Sequence, residues 1–134
     1  MSTRRLTTDQ RGASAMEFAI IAPVLLLFIV GIWQLGVLFL ANSGLKHAVA
    51  EGSRLATTFP RPADTDVEAL IVERRFGLEE EYLSEATVVF TDDEEISYAD
   101  VSLTYEVPLD FIFFEAGTVT LSENRRVFVY PLET

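Results

Sequence analysis

Cysteine is absent from the 134 residues, and histidine occurs once, as His47. The first absence excludes disulfides, a zinc–thiolate centre and a cysteine nucleophile. The second excludes a multi-histidine metal site within one subunit. Charge is missing wherever it would interrupt a membrane helix: no ionisable side chain lies between Phe18 and Leu45. Basic residues are scarce beyond that run. Residues 1–12 carry Arg4, Arg5 and Arg11 against Asp9, a net of +2, and residues 46–134 carry 7 basic and 19 acidic side chains, a net of −12; with Glu17 these sum to the formal −11. So acidic a surface repels a phosphate backbone, and no nucleic-acid partner is expected. No Ser-His-Asp order and no glycine-rich phosphate loop can be found either. The expectation is a non-enzyme with no cofactor, no metal and no small-molecule substrate.

What is present is one long apolar stretch. From Phe18 to Trp33 every residue is apolar, Gly or Pro, and after Gln34 the run resumes through Ala41. Residues 18–41 as a helix measure about 36 Å at ~1.5 Å per residue, enough to cross a hydrocarbon core of about 30 Å with some tilt. A helix in a soluble core would show a polar face, and this one offers only Gln34. Pro23 lies inside the run; it predicts a kink or a loosened turn, which membrane helices tolerate when neighbours satisfy the freed carbonyl. The three arginines ahead of the segment set the N-terminus in the cytoplasm by the positive-inside rule, with the acidic part outside the membrane.

Three processing fates fit this layout. The chain can remain an uncleaved anchor. It can be cut near Ala41-Asn42-Ser43 like a secretory signal, although the apolar run exceeds the usual 7–15 residues. It can also be cut ahead of the apolar run, after Gly12. The block Gly12-Ala13-Ser14-Ala15-Met16-Glu17-Phe18 resembles a type IV prepilin cleavage motif, with four small or apolar residues between the Gly and the Glu. Extended through Ala19-Ile20-Ile21-Ala22-Pro23, and joined to Gly31, Gln34, Gly36 and the exit Leu45-Lys46-His47-Ala48-Val49-Ala50-Glu51-Gly52-Ser53-Arg54, it resembles the TadE-like pseudopilins of tight-adherence (Flp-type) pili over about residues 12–56. The resemblance implies cleavage between Gly12 and Ala13 by a prepilin peptidase in the bacterial inner membrane. It also implies partnership with other pilin or pseudopilin subunits and with a pilus assembly platform. Phe18, where major pilins usually have Tyr, and a sizeable C-terminal domain favour a minor subunit of a type IV pilus.

The physical argument for Glu17 stands beside the resemblance. A carboxylate at the edge of an apolar run costs about 2–3 kcal/mol if drawn towards the bilayer centre, so it needs a partner. A new ammonium on Ala13, of the same or a neighbouring chain, supplies one. Glu17, with Phe18 behind it, is then a register device for assembly. The alternative is an interfacial carboxylate in contact with water and headgroups, near Arg11.

Past the membrane the helical pattern continues to about Thr58, where Pro60 and Pro62 end it. Leu38, Leu45, Val49 and Phe59 mark its apolar face. Gly44, Ala48, Gly52 and Ala56 recur every four residues, a groove for a second helix or the seat of the chain's own domain. Thr65-Asp66-Val67-Glu68 has capping-box spacing and predicts a short helix over about residues 65–76, stopping at Gly77. From Ala86 the period becomes two. Strands are expected over 86–91, over 101–107 ending at Pro108, and over 118–122 and 125–130 as one long strand or two. The acidic run Asp92–Glu95 reads as a solvated turn, lacking the spacing of a calcium loop. Phe111-Ile112-Phe113-Phe114 reads as a cap on the domain core, or else as a contact surface.

The expected architecture is therefore α+β. It has a leader over 1–12, a long transmembrane helix over 13–59, and an acidic extracytoplasmic domain over 60–134 with one short helix and three or four antiparallel strands. The leading function is a membrane-inserted minor pilin. The alternative is an uncleaved single-pass envelope anchor whose acidic domain binds a protein partner.

Overall fold

The computed structural model describes residues 10–93, 96–111 and 114–131. The arrangement is α+β. A 47-residue helix, α1 (Gln10–Ala56), is followed by a short helix, α2 (Asp64–Glu73), a 3-10 turn at Glu80–Tyr82, and strands β1 (Thr87–Asp92), β2 (Ser97–Phe111) and β3 (Phe114–Phe128). The strands form one antiparallel sheet in the order β1-β2-β3.

The apolar sequence of α1 divides into two environments. Its first half is bare: Phe18, Ile20, Phe28, Ile32 and Trp33 are all exposed, and only 6% of its most apolar 18-residue window is buried. Its second half is the spine of the domain. Ala41, Leu45, Ala48, Val49 and Ala56 join Val67 and Ile71 of α2 and Val88, Ala99, Val101, Leu103, Tyr105 and Val107 of the sheet in one core. Alternation along β2 turns every second side chain, from Ser97 to Val107, towards this core. A bare apolar half joined to a core-forming half is what a membrane-anchored domain requires, and one apolar N-terminal helix of spanning length is present among the described residues.

Several boundaries differ from the sequence expectation. Helix α1 begins three residues earlier than Ala13 and ends two before Thr58. The Thr57 and Thr58 hydroxyls donate to the carbonyls of Arg54 and Leu55, and the Thr58 amide also donates to Leu55, so end-of-helix acceptors are engaged before either proline is reached. Phe59 falls beyond the helix, exposed, with its ring edge on Tyr130. The capping box does not form. Ala63 occupies the N-cap of α2 with no side-chain hydrogen bond, and Glu68 accepts instead from the Val88 amide of β1 at 3.2 Å. Helix α2 also stops before Gly77, which lies in the following turn at φ 72°.

Strand β2 runs through Pro108. Thr104 sends both its amide and its carbonyl towards Ser84, and Pro108, four residues on, has the same orientation. Its missing N–H therefore faces the edge that β1 does not reach, and no ladder bond to β3 is lost. The last two expected segments are one strand, because Leu103↔Glu123 and Ser102↔Asn124 keep the ladder continuous across the polar pair.

Candidate processing and assembly site

The residues around the expected cleavage point sit at the free end of the spine. Gly12, Ala13, Glu17 and Phe18 are all exposed and lie within the first turns of α1. A Cβ on Gly12 would meet nothing within 4 Å. Gly12 is thus already helical, where an extended backbone suits a protease site. The first four amides of any helix lack intrahelical partners, so this turn is the least costly part of α1 to unwind. No acidic side chain occupies the first turn as the helix stands. Were the chain to begin at Ala13, Glu17 would lie four residues in, on the same face, with Cβ atoms about 5–6 Å apart. The α-amino group and the positive end of the helix would then both favour its carboxylate. Pro23 lies further along, exposed and inside the helix.

The four small residues face elsewhere. A Cβ on Gly44 would overlap the Phe76 carbonyl, and one on Gly52 would overlap the Ile71 side chain. Ala48 and Ala56 are buried alongside them. The stripe is filled by the chain's own α2 and the turn after it. Of the two roles open for it, seat of the domain and groove for a second helix, the geometry realises the first.

Two features were missed by sequence reasoning. Gln34, the one polar residue of the apolar run, donates from Nε2 to the Asp110 carbonyl at 2.7 Å. Beside it, the Phe111 ring edge approaches Gly31, where a Cβ would sit 3.9 Å from Cε1. The far end of the β2–β3 hairpin is therefore pinned to the bare half of α1. Of the cluster expected to cap the core, Phe111 and Phe114 do not do so. Phe111 stacks on Phe114 with centroids 5.0 Å apart, Phe114 is 53% exposed, and neither ring belongs to the buried cluster. Ile112 and Phe113 lie outside the described residues.

The second missed feature is a pair of ion-pair clasps. Arg61 donates to both oxygens of Asp92, at 2.7 and 2.8 Å, with its guanidinium 4.1 Å from the Phe90 ring centre. Arg126 clasps Asp100 across the β2–β3 ladder, at 2.8 and 2.7 Å, and lies over Tyr98. The hydrogen bond from each arginine is the main cause that lowers the Asp92 and Asp100 carboxyls below the usual range, as Arg54 does for Glu51. Asp92 is thus engaged by Arg61, while Glu94 and Glu95 lie outside the described residues. Neither clasp lies near Gly12 or Glu17 in the fold, and both are structural ties. Among the described residues no His, Asp and Glu side chains gather into a metal-binding group.

No curated protein and no solved structure matches the chain. The stretch of α1 that begins at Gly12 and takes in Gly44, Ala48 and Gly52 of the small-residue stripe does match a family model, that of TadE-like protein, over residues 12–54.

Proposed function

We propose that the chain is a minor pilin, or pseudopilin, acting in biogenesis or assembly of a Tad/Flp-type adhesive pilus. In this reading residues 1–12 are a cytoplasmic leader, α1 spans the inner membrane, and residues 60–134 form most of an extracytoplasmic domain. A prepilin peptidase cuts between Gly12 and Ala13. The TadE-like family, a family of pilus components, supports the association with a Tad pilus. One observation carries the finer reading. Among the described residues, the Gly12-to-Glu17 block stands exposed at the tip of a helix whose apolar first half is almost wholly uncovered.

Glu17 then acts as a docking charge. Cleavage creates an ammonium at Ala13, and pairing it with Glu17 of the same or a neighbouring subunit removes the penalty of carrying either charge unmatched in a low dielectric. Phe18 follows the pair and packs helix against helix. Other pilin subunits and the assembly platform are the partners, and the domain held by α2 and the sheet is what the helix carries. The test is Glu17→Ala. Unchanged membrane insertion with loss of pilus assembly is the expected result, whereas loss of insertion would remove the pairing role.

A further inference from the structure

We propose that the stacked pair Phe111 and Phe114, called here the tip of the β2–β3 hairpin, is a second membrane-seating element, immersed in the outer-leaflet interface beside α1, and that it sets the spanning segment at residues 13–33. The inference rests on the membrane-anchored reading of α1.

Lengths place the tip. The hairpin starts beside the end of α1, where Tyr130 touches Phe59, and ends at Gly31 and Gln34. From Gly31 to Thr57 α1 rises about 39 Å, and a 15-residue strand covers about 50 Å before twist. The hairpin therefore runs the whole length of the domain, antiparallel to the helix, and stops level with the last turns of the apolar run.

Charge then fixes the depth. If residues 18–41 filled the hydrocarbon core, the tip would lie about 15 Å below its outer boundary, carrying exposed Asp110 into the core with it. A carboxylate near the bilayer centre costs at least about 2–3 kcal/mol. Placing the boundary at the Gln34–Asp110 hydrogen bond keeps the Asp110 carboxylate at headgroup level. It leaves 21 residues, 13–33, to span about 31 Å, which matches the hydrocarbon core of about 30 Å. Trp33, exposed on α1, then sits in the aromatic belt, and the stacked rings of Phe111 and Phe114 enter the same layer. Leu35, exposed on α1 about 3 Å beyond Trp33, lies within that layer. The same shift moves Glu17 inside the inner boundary, where a charge partner becomes necessary.

Trp33 is the sole tryptophan, so fluorescence reads α1 and the tip separately. Wild-type protein and the double variant Trp33→Phe/Phe114→Trp are reconstituted, full length, in phosphatidylcholine/phosphatidylglycerol vesicles containing lipids brominated either near the headgroup or near the chain ends. The wild type reports on α1 through Trp33, and the double variant reports on the hairpin through the indole placed at its tip. The expected result is a blue-shifted tip indole that resists iodide and loses emission to shallow bromines to an extent comparable with Trp33. Quenching of the tip indole by iodide alone, with Trp33 still quenched by bromolipid, overturns the proposal and leaves the anchor reading standing. A tip indole shielded from both quenchers means that protein covers the tip, which also overturns it. If neither protein responds to bromolipid, both readings fail. Phe111→Trp in the Trp33→Phe background repeats the measurement should Phe114→Trp disturb folding, as judged by circular dichroism.

Discussion

Gln34 and Asp110, 76 positions apart, are joined by a 2.7 Å hydrogen bond from the carboxamide to the main-chain carbonyl. The bond gives the one polar side chain of the apolar run a partner at the point where the hairpin meets the helix. Leaving that carboxamide unpaired in an apolar layer costs about 1–3 kcal/mol. Its placement therefore fixes where the domain ends against the bare half of α1.

Replacing Gln34 by Leu keeps the segment apolar and removes the tie. A loss of about 0.5–1.5 kcal/mol is expected, concentrated at the hairpin end. Hydrogen exchange by mass spectrometry in micelles checks this: amides near Leu109–Asp110 should exchange faster, while those of β1 stay unchanged.

Glycines on α1 divide by what surrounds them. Gly44→Ala drives a methyl into the Phe76 carbonyl, and Gly52→Ala drives one into Ile71. Each should lose about 1–3 kcal/mol by overpacking, with Gly44 the worse because a backbone carbonyl cannot rotate away. Gly36→Ala meets nothing within 4 Å and should hold or gain up to about 1 kcal/mol from helix propensity. Thermal melts in one detergent compare the three.

Truncating the core where α1 crosses the domain should cost more. Leu45 is 1% exposed and Ile71 is fully buried, so Leu45→Ala and Ile71→Ala are each expected to lose about 2–5 kcal/mol. Denaturant titration of the domain signal provides the check.

Acid should weaken the domain through its ion pairs. The carboxyls of Asp92, Asp100 and Glu51 are all lowered, in each case chiefly by a hydrogen bond from an arginine. A carboxyl whose folded pKa is depressed contributes stability that is fully present above its unfolded value, about 4, and is lost as pH falls through the folded value. Asp92→Asn with Asp100→Asn should be less stable than wild type near neutral pH and converge with it at about pH 3 or below. Melting temperatures of both proteins across that range test the sign.

Much of this architecture was legible because it is local. Charge-free length announced α1, small residues at every fourth position announced its close packing, and alternation from Val101 to Val107 announced β2. The misses are long-range or depend on context. Pro108 ends a strand only where its amide is needed for pairing, and here it faces an unpaired edge. Thr65 and Glu68 have capping spacing, yet Glu68 is drawn to the Val88 amide of a strand twenty residues away. The Phe111 cluster has the composition of a core cap, and only the lengths of α1 and the hairpin, taken together, carry it past the core to Gly31. At the candidate processing site the Gly-to-Glu spacing could be read directly. That Gly12 is already helical could not, since glycine carries no helical preference of its own.

The central claim is that this chain is a processed pilus subunit, and the mature N-terminus tests it most directly. Intact mass spectrometry and N-terminal sequencing of the protein purified from membranes that contain the prepilin peptidase should show a chain beginning at Ala13, with Gly12→Ala blocking both the processing and piliation. A chain that begins at Met1 or Ser2 would contradict the account and favour the permanent anchor, and one that begins near Gly44 would favour secretion.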